Sequence, residues 1–268
     1  MRPSRIKAKL AKNEPALVCA LHLTDPSIHE LVSLMGIDGI WLDMEHHATS
    51  MEKANELMRA ARVGTSDVVA RPGKGEFMRM ARMLEAGAQG IMYPRCDDAK
   101  EAAEVVRWSK FSPLGERGID AANPDNPYCS MPLDQYIQEA NEQTFVVIQL
   151  EQAHAIEQAD AIAAVEGVDV LMLGPGDFSI LSGIPGQMDH ALVQQAKEKI
   201  AAAAKNAGIQ WGTTCGSIQA IRDSLELGAR FICYGADILI IKQGFEQIQH
   251  DCEQLGFTFD NQLAMPNA

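Results

Sequence analysis

The sequence lacks any apolar run close to the ~20 residues that a membrane-spanning helix needs. It also lacks a basic surplus, since the formal net charge is −13 and the sequence pI is about 4.9. An acidic surface repels nucleic-acid phosphates and anionic membranes, so we expect neither as a partner. A small anionic substrate stays open, because one arginine or a metal ion can reverse the field of a single pocket.

Cysteine pairs are missing as well. The six cysteines are scattered without a C-x-x-C motif, and several lie in apolar stretches, where cysteine is a small buried hydrophobe. This pattern predicts free thiols in a reducing compartment rather than a disulfide framework. The basic residues 1–10 are not followed by an apolar signal core. We therefore expect a cytoplasmic protein.

What the sequence does contain is a regular alternation of short apolar runs and helical patterns. The runs lie near residues 17–23, 39–43, 67–72, 90–94, 145–151, 168–173, 210–214 and 230–235. Eight such units over roughly 250 residues predict an α/β fold, a (β/α)8 TIM barrel. We expect one domain over 1–268, with a lead-in at 1–13 and a tail at 257–268. An open doubly wound sheet is the alternative, but no G-x-G-x-x-G motif follows the first run.

The alternation breaks between residues 110 and 144. This segment is rich in proline and glycine, at Pro113, Gly115, Gly118, Pro124, Pro127 and Pro132. Long loops inside compact domains are often functional. We therefore predict a long functional loop that contains one short helix near 133–141.

Polar and ionisable side chains stand at the carboxyl ends of the predicted strands. The stretch Gly-Ile-Trp-Leu-Asp-Met-Glu-His-His (39–47) ends an apolar strand in Asp43, Glu45 and His46. In a barrel all such ends meet at one mouth, which is where barrel enzymes carry their chemistry. The other predicted strand ends bring there His22, Arg71, Gln149, Glu151, Asp177, Thr213 and Thr214.

Two of these residues, Glu151 and Asp177, predict a divalent-metal site. A carboxylate at the end of an apolar strand is costly unless it is paired or ligated. Two hard oxygen ligands without a thiolate suit Mg²⁺ or Mn²⁺, with Co²⁺ also possible, completed by waters and a chelating substrate. The alternative interpretation is that Glu151 forms a structural ion pair with an arginine.

The basic residues are open to two interpretations each. Arg71 is a forked donor for a carboxylate or enolate oxygen, or else a buried partner of Glu151 or Asp43. His22 lies on an apolar strand, where a histidine is more often a satisfied core residue than a catalyst.

No lysine lies inside a predicted strand, and Lys74 is on a Gly-Lys-Gly turn. Because an imine mechanism needs a desolvated lysine, a Schiff-base aldolase is disfavoured.

Five ordered motifs resemble those of the HpcH/HpaI aldolases, which are metal-dependent pyruvate aldolases acting on 2-keto-3-deoxy sugar acids and related 4-hydroxy-2-oxo acids. The likeness runs from about residue 14 to 256. It implies a (β/α)8 barrel, a divalent metal and a homohexamer, built as a trimer of dimers that exchange their last helix. The motifs are Leu-Asp-Met-Glu-His (42–46), Val-Ala-Arg-Pro (69–72), Pro-Leu-Gly-Glu-Arg-Gly (113–118), Val-Ile-Gln-Leu-Glu (147–151) and Gly-Pro-Gly-Asp-Phe-Ser (174–179).

Carried over position by position, the resemblance implies a catalytic set. His46 would be the general base and Arg71 would stabilise the enolate. Glu151 and Asp177 would hold the metal. The implied reaction cleaves a 4-hydroxy-2-oxo acid into pyruvate and an aldehyde.

The resemblance also implies supporting residues. Gln149 and the backbone of Gly176 and Asp177 would contact pyruvate. Glu85 falls where the family has an aspartate that raises the basicity of the histidine, so the longer side chain would have to reach His46.

Two departures from the family pattern concern the substrate more than the chemistry. His22 falls about where some relatives carry a tryptophan, and His-Ala-Thr-Ser (47–50) replaces the common Ala-Pro-Asn pattern. A related carbon–carbon lyase of the citrate-lyase-beta or malyl-CoA-lyase type is an alternative, although no basic patch is placed for a CoA phosphate. A third reading is a non-catalytic barrel kept for ligand binding.

Overall fold

The computed structural model describes residues 1–263 and forms a closed barrel of eight parallel strands, each paired with its neighbours in chain order. Every strand begins and ends within two residues of the predicted run, so the (β/α)8 prediction is confirmed. The strands are β1 Ala16–Leu21, β2 Gly39–Asp43, β3 Asp67–Arg71, β4 Gly90–Tyr93, β5 Phe145–Leu150, β6 Val170–Leu173, β7 Gln210–Thr214 and β8 Phe231–Ala236.

Helices surround the barrel and return the chain from each strand's carboxyl end to the next strand's amino end. Within residues 1–263 they are α1 Arg5–Ala11, α2 Pro26–Leu34, α3 Met51–Ala61, α4 Phe77–Ala86, α5 Ala99–Ser109, α6 Leu133–Gln143, α7 Ala153–Glu157, α8 Ala159–Ala163, α9 Pro175–Leu181, α10 Ala191–Ala207, α11 Ile218–Glu226 and α12 Asp237–Glu253. None of these helices is both long and apolar enough to span a bilayer.

The core has two layers, as the alternation of side chains along each strand requires. Inward residues such as Val69, Val147 and Met172 fill the barrel interior. Outward residues such as Ile40 and Ile148 pack against the helices. Strands β3 and β5 are buried at every position, which explains their continuous apolar sequence. All six cysteines are free thiols, as predicted.

The lead-in is more ordered than the sequence analysis expected, because it contains α1. The Ser4 side chain caps this helix and donates a 2.7 Å hydrogen bond to Asp67 Oδ2, which also accepts one from the Ile6 backbone N–H. Ile6 and Leu10 are buried among the interior side chains. Helix α1 therefore covers the amino end of the barrel. Only residues 257–263 of the predicted tail lie within the described part of the chain.

The predicted loop between 110 and 132 also lies at the amino end. Helix α5 descends from the carboxyl end of β4, and α6 leads directly into β5, so the segment between them stays on the side away from the mouth. There Asp125 accepts hydrogen bonds from Arg117 and Tyr136. Within one chain this loop therefore packs at the amino end of the barrel, which we call the floor. The prediction of a functional loop finds no support there.

One lysine is buried, which the sequence analysis did not anticipate. Lys110 lies at the amino end of β5, where its ammonium donates to the backbone carbonyls of Asn141 and Thr144. Burial lowers its pKa to about 8. Since it lies at the floor rather than among the strand carboxyl ends, it provides no imine-forming amine at the mouth.

Helix α12 packs incompletely on its own barrel. Its Ile240, Phe245 and Ile248 are exposed, Phe245 by 65%. On the outer face of β1 and β8, Leu17 and Tyr234 are only half buried. The chain therefore presents an apolar helix surface and an uncovered strip of the barrel.

Candidate active site

The carboxyl ends of the strands surround a cavity of about 890 Å³ that continues over the outer face of β1 and β8. The structure thus brings most of the predicted site residues to one place. Those that line the cavity are His22, Asp43, His46, Arg71, Gln149, Glu151, Gly176, Asp177 and Thr214.

Arg71 and Asp43 form the best-ordered contact of the mouth. They are register partners at the ends of β3 and β2. Arg71 Nε and Nη2 donate to the two oxygens of Asp43 at 2.9 and 2.7 Å, a two-pronged ion pair. Burial would raise the pKa of Asp43, but Arg71 outweighs it and holds that pKa below its usual value. The interpretation of Arg71 as a buried partner of Asp43 is confirmed.

The third nitrogen of Arg71 is turned toward the cavity. Nη1 lies 3.4 Å from Gln149 Oε1 and 3.3 Å from Glu45 Oε2. The Trp41 ring lies 4.5 Å from the guanidinium carbon. Since Asp43 and Trp41 fix the plane of the group, Nη1 is held in place as a donor. The enolate-stabilising role of Arg71 stays a prediction that this geometry permits.

Glu151 is the most unusual carboxyl group of the site. It is only 2% exposed, and its one hydrogen bond within residues 1–263 comes from the Arg95 backbone N–H at 3.2 Å. Burial and the nearby charge of Asp177 raise its pKa to about 7. No arginine pairs with it in the described structure, so the structural ion-pair interpretation is not realised. A carboxyl group in this setting is stabilised by a cation or a proton.

Gly174 makes room for Glu151. A Cβ at this position would lie 2.1 Å from Glu151 Oε1, so any larger residue would displace the carboxylate. Directly after this glycine, α9 places Asp177 in its first turn, half-buried at the cavity wall. The segment after β6 therefore places Asp177 beside Glu151, whose carboxylate has little room to move.

The pair fits a hard divalent cation. The charge of Asp177 adds to the burial of Glu151 in raising the pKa of Glu151, and both residues offer oxygen donors. Within residues 1–263, no group of three or more histidine, cysteine, aspartate or glutamate side chains is arranged as a metal cage. An ion here would thus take two protein ligands and leave its other positions to water or substrate.

His46 lies in the loop directly after β2, outside the strand. Its side chain is 57% exposed, and its Nε2 is 3.6 Å from Glu45 Oε2. Its backbone N–H points to Asp43 Oδ1 at 3.4 Å. Because His46 lies outside the strand, the alternation of side chains along β2 does not set its direction, and its ring contacts Glu45.

Glu85 does not contact His46 within one chain, so that expectation needs correction. Glu85 is in the last turn of α4, next to the amino end of β4, whereas His46 is at the carboxyl end of β2. Its Oε1 accepts a 3.2 Å hydrogen bond from the Asp120 backbone N–H. A residue at the end of a barrel helix lies on the floor, and a longer side chain cannot bridge the barrel's length.

His22 belongs to the mouth rather than to the core. Its Nδ1 lies 3.2 Å from Asp237 Oδ1, and its ring centroid is 4.5 Å from that of His47. Asp237 is the first residue of α12 and was not singled out in the sequence. The available signal was its position directly after the apolar run of β8, the same position that marks the other strand-end residues.

Comparisons with known proteins agree with this geometry. The family model described as HpcH/HpaI aldolase/citrate lyase matches residues 17–242. A 5-keto-4-deoxy-D-glucarate aldolase of Klebsiella pneumoniae is 29% identical over 246 residues, covering 92% of this chain and 95% of that protein. A hydroxypyruvate/pyruvate aldolase of Paraburkholderia phytofirmans is 32% identical over 240 residues, with coverages of 87% and 92%. The crystal structure of an HpcH/HpaI aldolase from Desulfitobacterium hafniense superposes with a TM-score of 0.86 at 29% identity, covering 92% of this chain and 96% of that one.

Proposed function

The chain belongs to the HpcH/HpaI aldolase/citrate lyase family, and we propose that it is a class II aldolase, dependent on a divalent metal, that cleaves a 4-hydroxy-2-oxo acid of the 2-keto-3-deoxy type into pyruvate and an aldehyde. The observation that carries this proposal is the buried Glu151 beside Asp177, near the guanidinium of Arg71 that Asp43 fixes. The names of the aldolase relatives support the same reaction class.

Glu151 and Asp177 would hold the metal, Mg²⁺ or Mn²⁺ by donor type, with Co²⁺ possible. Bound there, the cation would supply Lewis-acid stabilisation of the negative charge that develops on the 2-oxo oxygen. The Gln149 side chain and the backbone N–H groups of Gly176 and Asp177 would orient the pyruvate part. Those two N–H groups belong to the first turn of α9, whose donors are not used by the helix itself.

The chain's own groups account for the proton and charge movements. His46 accepts the proton of the C4 hydroxyl, and the C3–C4 bond breaks to leave aldehyde and pyruvate enolate. Arg71 Nη1 donates to the enolate oxygen, where charge is greatest. The enolate carbon then takes a proton from solvent water, which gives the methyl group of pyruvate, and the protonated His46 returns its proton to solvent. If Glu85 tunes His46, it must come from another subunit.

The predicted homohexamer, a trimer of dimers that exchange their last helix, is also part of the proposal. The exposed Phe245 and Ile248 on α12 need an apolar partner, and the uncovered strip at Leu17 and Tyr234 offers one. Exchange of α12 between two copies would cover both surfaces at once. The free thiols support a cytoplasmic location.

Proton exchange tests the proposed chemistry without knowledge of the aldehyde. With Mn²⁺ or Mg²⁺, the enzyme should exchange the methyl protons of pyruvate with D₂O, as followed by NMR. EDTA should stop the exchange, and added Mn²⁺ should restore it. Exchange that is absent with every divalent ion, or that persists in EDTA, would contradict the proposal.

A further inference from the structure

The backbone of Arg95 holds the buried carboxylate of Glu151. Arg95 follows β4 and has a φ of 50°, in the left-handed region that residues other than glycine seldom adopt. In this conformation its N–H donates to Glu151 Oε2 at 3.2 Å, and the next N–H, of Cys96, donates to the Gln149 carbonyl at 3.1 Å. A strained backbone conformation persists only where surrounding contacts hold it. The peptide that holds Glu151 therefore needs a support of its own.

Lys74 supplies this support from the loop after β3. Its ammonium group donates to the Arg95 carbonyl at 2.6 Å and to Asp97 Oδ2 at 2.6 Å. A third contact, 3.2 Å long, goes to Glu101 Oε2. An ammonium group has three donors, so each of them has a partner. Lys74 thus joins the two ends of the turn formed by residues 95–97.

The turn that carries Lys74 is held in place as well. The Gly75 N–H donates to the Tyr93 hydroxyl oxygen at 2.9 Å, and that hydroxyl donates to Glu101 Oε1 at 2.7 Å. Gly75 has a φ of 82°, which explains why a glycine follows the lysine. The loops after β3 and β4 therefore form one hydrogen-bonded network, which reaches the cavity through the Arg95 N–H.

We propose that Lys74 is a positioning residue for the metal site, because through the Arg95 peptide it fixes the orientation of the Glu151 carboxylate. This inference rests on the proposed function, since it takes Glu151 and Asp177 as the ligands of a divalent cation. Lys74 does not line the cavity, so its effect passes through Arg95. Groups that orient a metal ligand in this way contribute to metal affinity although they do not touch the ion.

The sign of the effect separates positioning from charge. Lys74 is a cation, and the removal of a cation near a metal site by itself strengthens the binding of Mn²⁺. Loss of positioning weakens that binding, because the Glu151 carboxylate becomes free to turn away from the ion. The proposal therefore predicts the opposite result from the one that charge alone would give.

Calorimetric titration with Mn²⁺, without substrate, measures this affinity. We expect Lys74→Met, which keeps the length of the side chain, to weaken Mn²⁺ binding about tenfold. Lys53→Met is the matched control, at a partly exposed lysine that pairs with Glu56 on α3, and it should bind Mn²⁺ like the wild type. Thermal melts in EDTA check that each variant folds, and Lys74→Gln takes the place of a Lys74→Met protein that does not.

A second substitution tests the route through Arg95. Arg95→Asn keeps a side chain at this position but accepts the left-handed conformation more readily, so the loss of Lys74 should matter less in that background. We expect Lys74→Met to weaken Mn²⁺ binding by about threefold or less when it is combined with Arg95→Asn. The lost charge of Arg95 cancels, because each comparison is made within one background. An equal loss in both backgrounds would overturn the proposed route.

The wild-type protein separates this inference from the proposed function. If the wild type binds Mn²⁺ and exchanges the methyl protons of pyruvate, while Lys74→Met binds Mn²⁺ equally well or more tightly, the positioning role alone is overturned. If the wild type neither binds Mn²⁺ nor exchanges those protons, the proposed function is overturned and this inference with it.

Discussion

Arg71 donates two hydrogen bonds to Asp43 across neighbouring strands and keeps its third nitrogen turned into the cavity. The aspartate therefore serves the site by fixing the arginine. A guanidinium held this way needs no reorganisation when charge develops beside it, which is the condition for strong electrostatic catalysis.

The first prediction concerns this pair. Arg71→Lys keeps a charge near Asp43 but loses the fork, so we expect kcat to fall about 10²–10³-fold with the fold intact. Steady-state kinetics, together with thermal melts, would measure both effects. Arg79→Lys is the matched control, since Arg79 is on the surface of α4 and pairs with Glu76. Near-normal turnover in Arg71→Lys would remove Arg71 from the mechanism.

The second prediction follows from the raised pKa of Glu151 in the metal-free enzyme. Its pKa is about 7 in the folded chain, against an ordinary 4.5. Between these values the folded chain holds a proton that the unfolded chain has released, so the free energy of unfolding falls as the pH rises. The loss should be on the order of 3 kcal/mol between about pH 4.5 and pH 7.

Urea unfolding in EDTA at pH 5 and pH 8 would measure this loss. Glu151→Gln should remove most of it and should be more stable than the wild type at pH 8. Glu157→Gln, at an exposed residue paired with Lys199, should retain the wild-type pH dependence. Equal pH dependence in wild type and Glu151→Gln would show that Glu151 is not held in a dry environment.

The third prediction uses the space at Gly174. Gly174→Ala places a methyl group 2.1 Å from Glu151 Oε1, far inside van der Waals contact, so the carboxylate must move. We expect the affinity for Mn²⁺ to fall about 10–100-fold, the range typical of a displaced support near a metal. Calorimetric titration would measure it. Gly118→Ala, which meets no atom within 4 Å, should bind Mn²⁺ like the wild type, and equal affinity in Gly174→Ala would argue against Glu151 as a ligand.

The fourth prediction concerns assembly. Phe245→Glu places a charge on the exposed apolar surface of α12 and should shift the protein to smaller species in light scattering after size exclusion. Gln247→Glu lies on a different side of the same helix and should not change the assembly. A wild-type protein that is monomeric at micromolar concentration would contradict the exchange of α12.

The sequence predicted the barrel and its mouth because buried parallel strands leave a strong periodic signal, and because polar residues end those strands. Glu151, Asp177 and Arg71 could be placed at the mouth in this way, where they line the cavity. The position of Glu85 relative to His46 within one chain could not be predicted in this way, since the local sequence does not say which end of the barrel a helix turn occupies. Only topology decides that.

Other features could not be predicted from the sequence because they depend on contacts between distant parts of the chain. Helix α1 is short, and its burial depends on Asp67, which is more than 60 positions away. The 3.2 Å contact of His22 Nδ1 with Asp237 Oδ1 joins residues that are 215 positions apart. Local sequence patterns cannot predict such pairs. The alternation of strand and helix does predict that the first and last strands meet in a closed barrel.

Helix α1 has one more consequence. Ile6 and Leu10 close the amino end of a barrel whose interior is already filled by inward side chains of the strands. In the part of the chain that the structure describes, the cavity therefore has no passage through the barrel to the opposite end, and under the proposed function both products would leave on the side where the strands end.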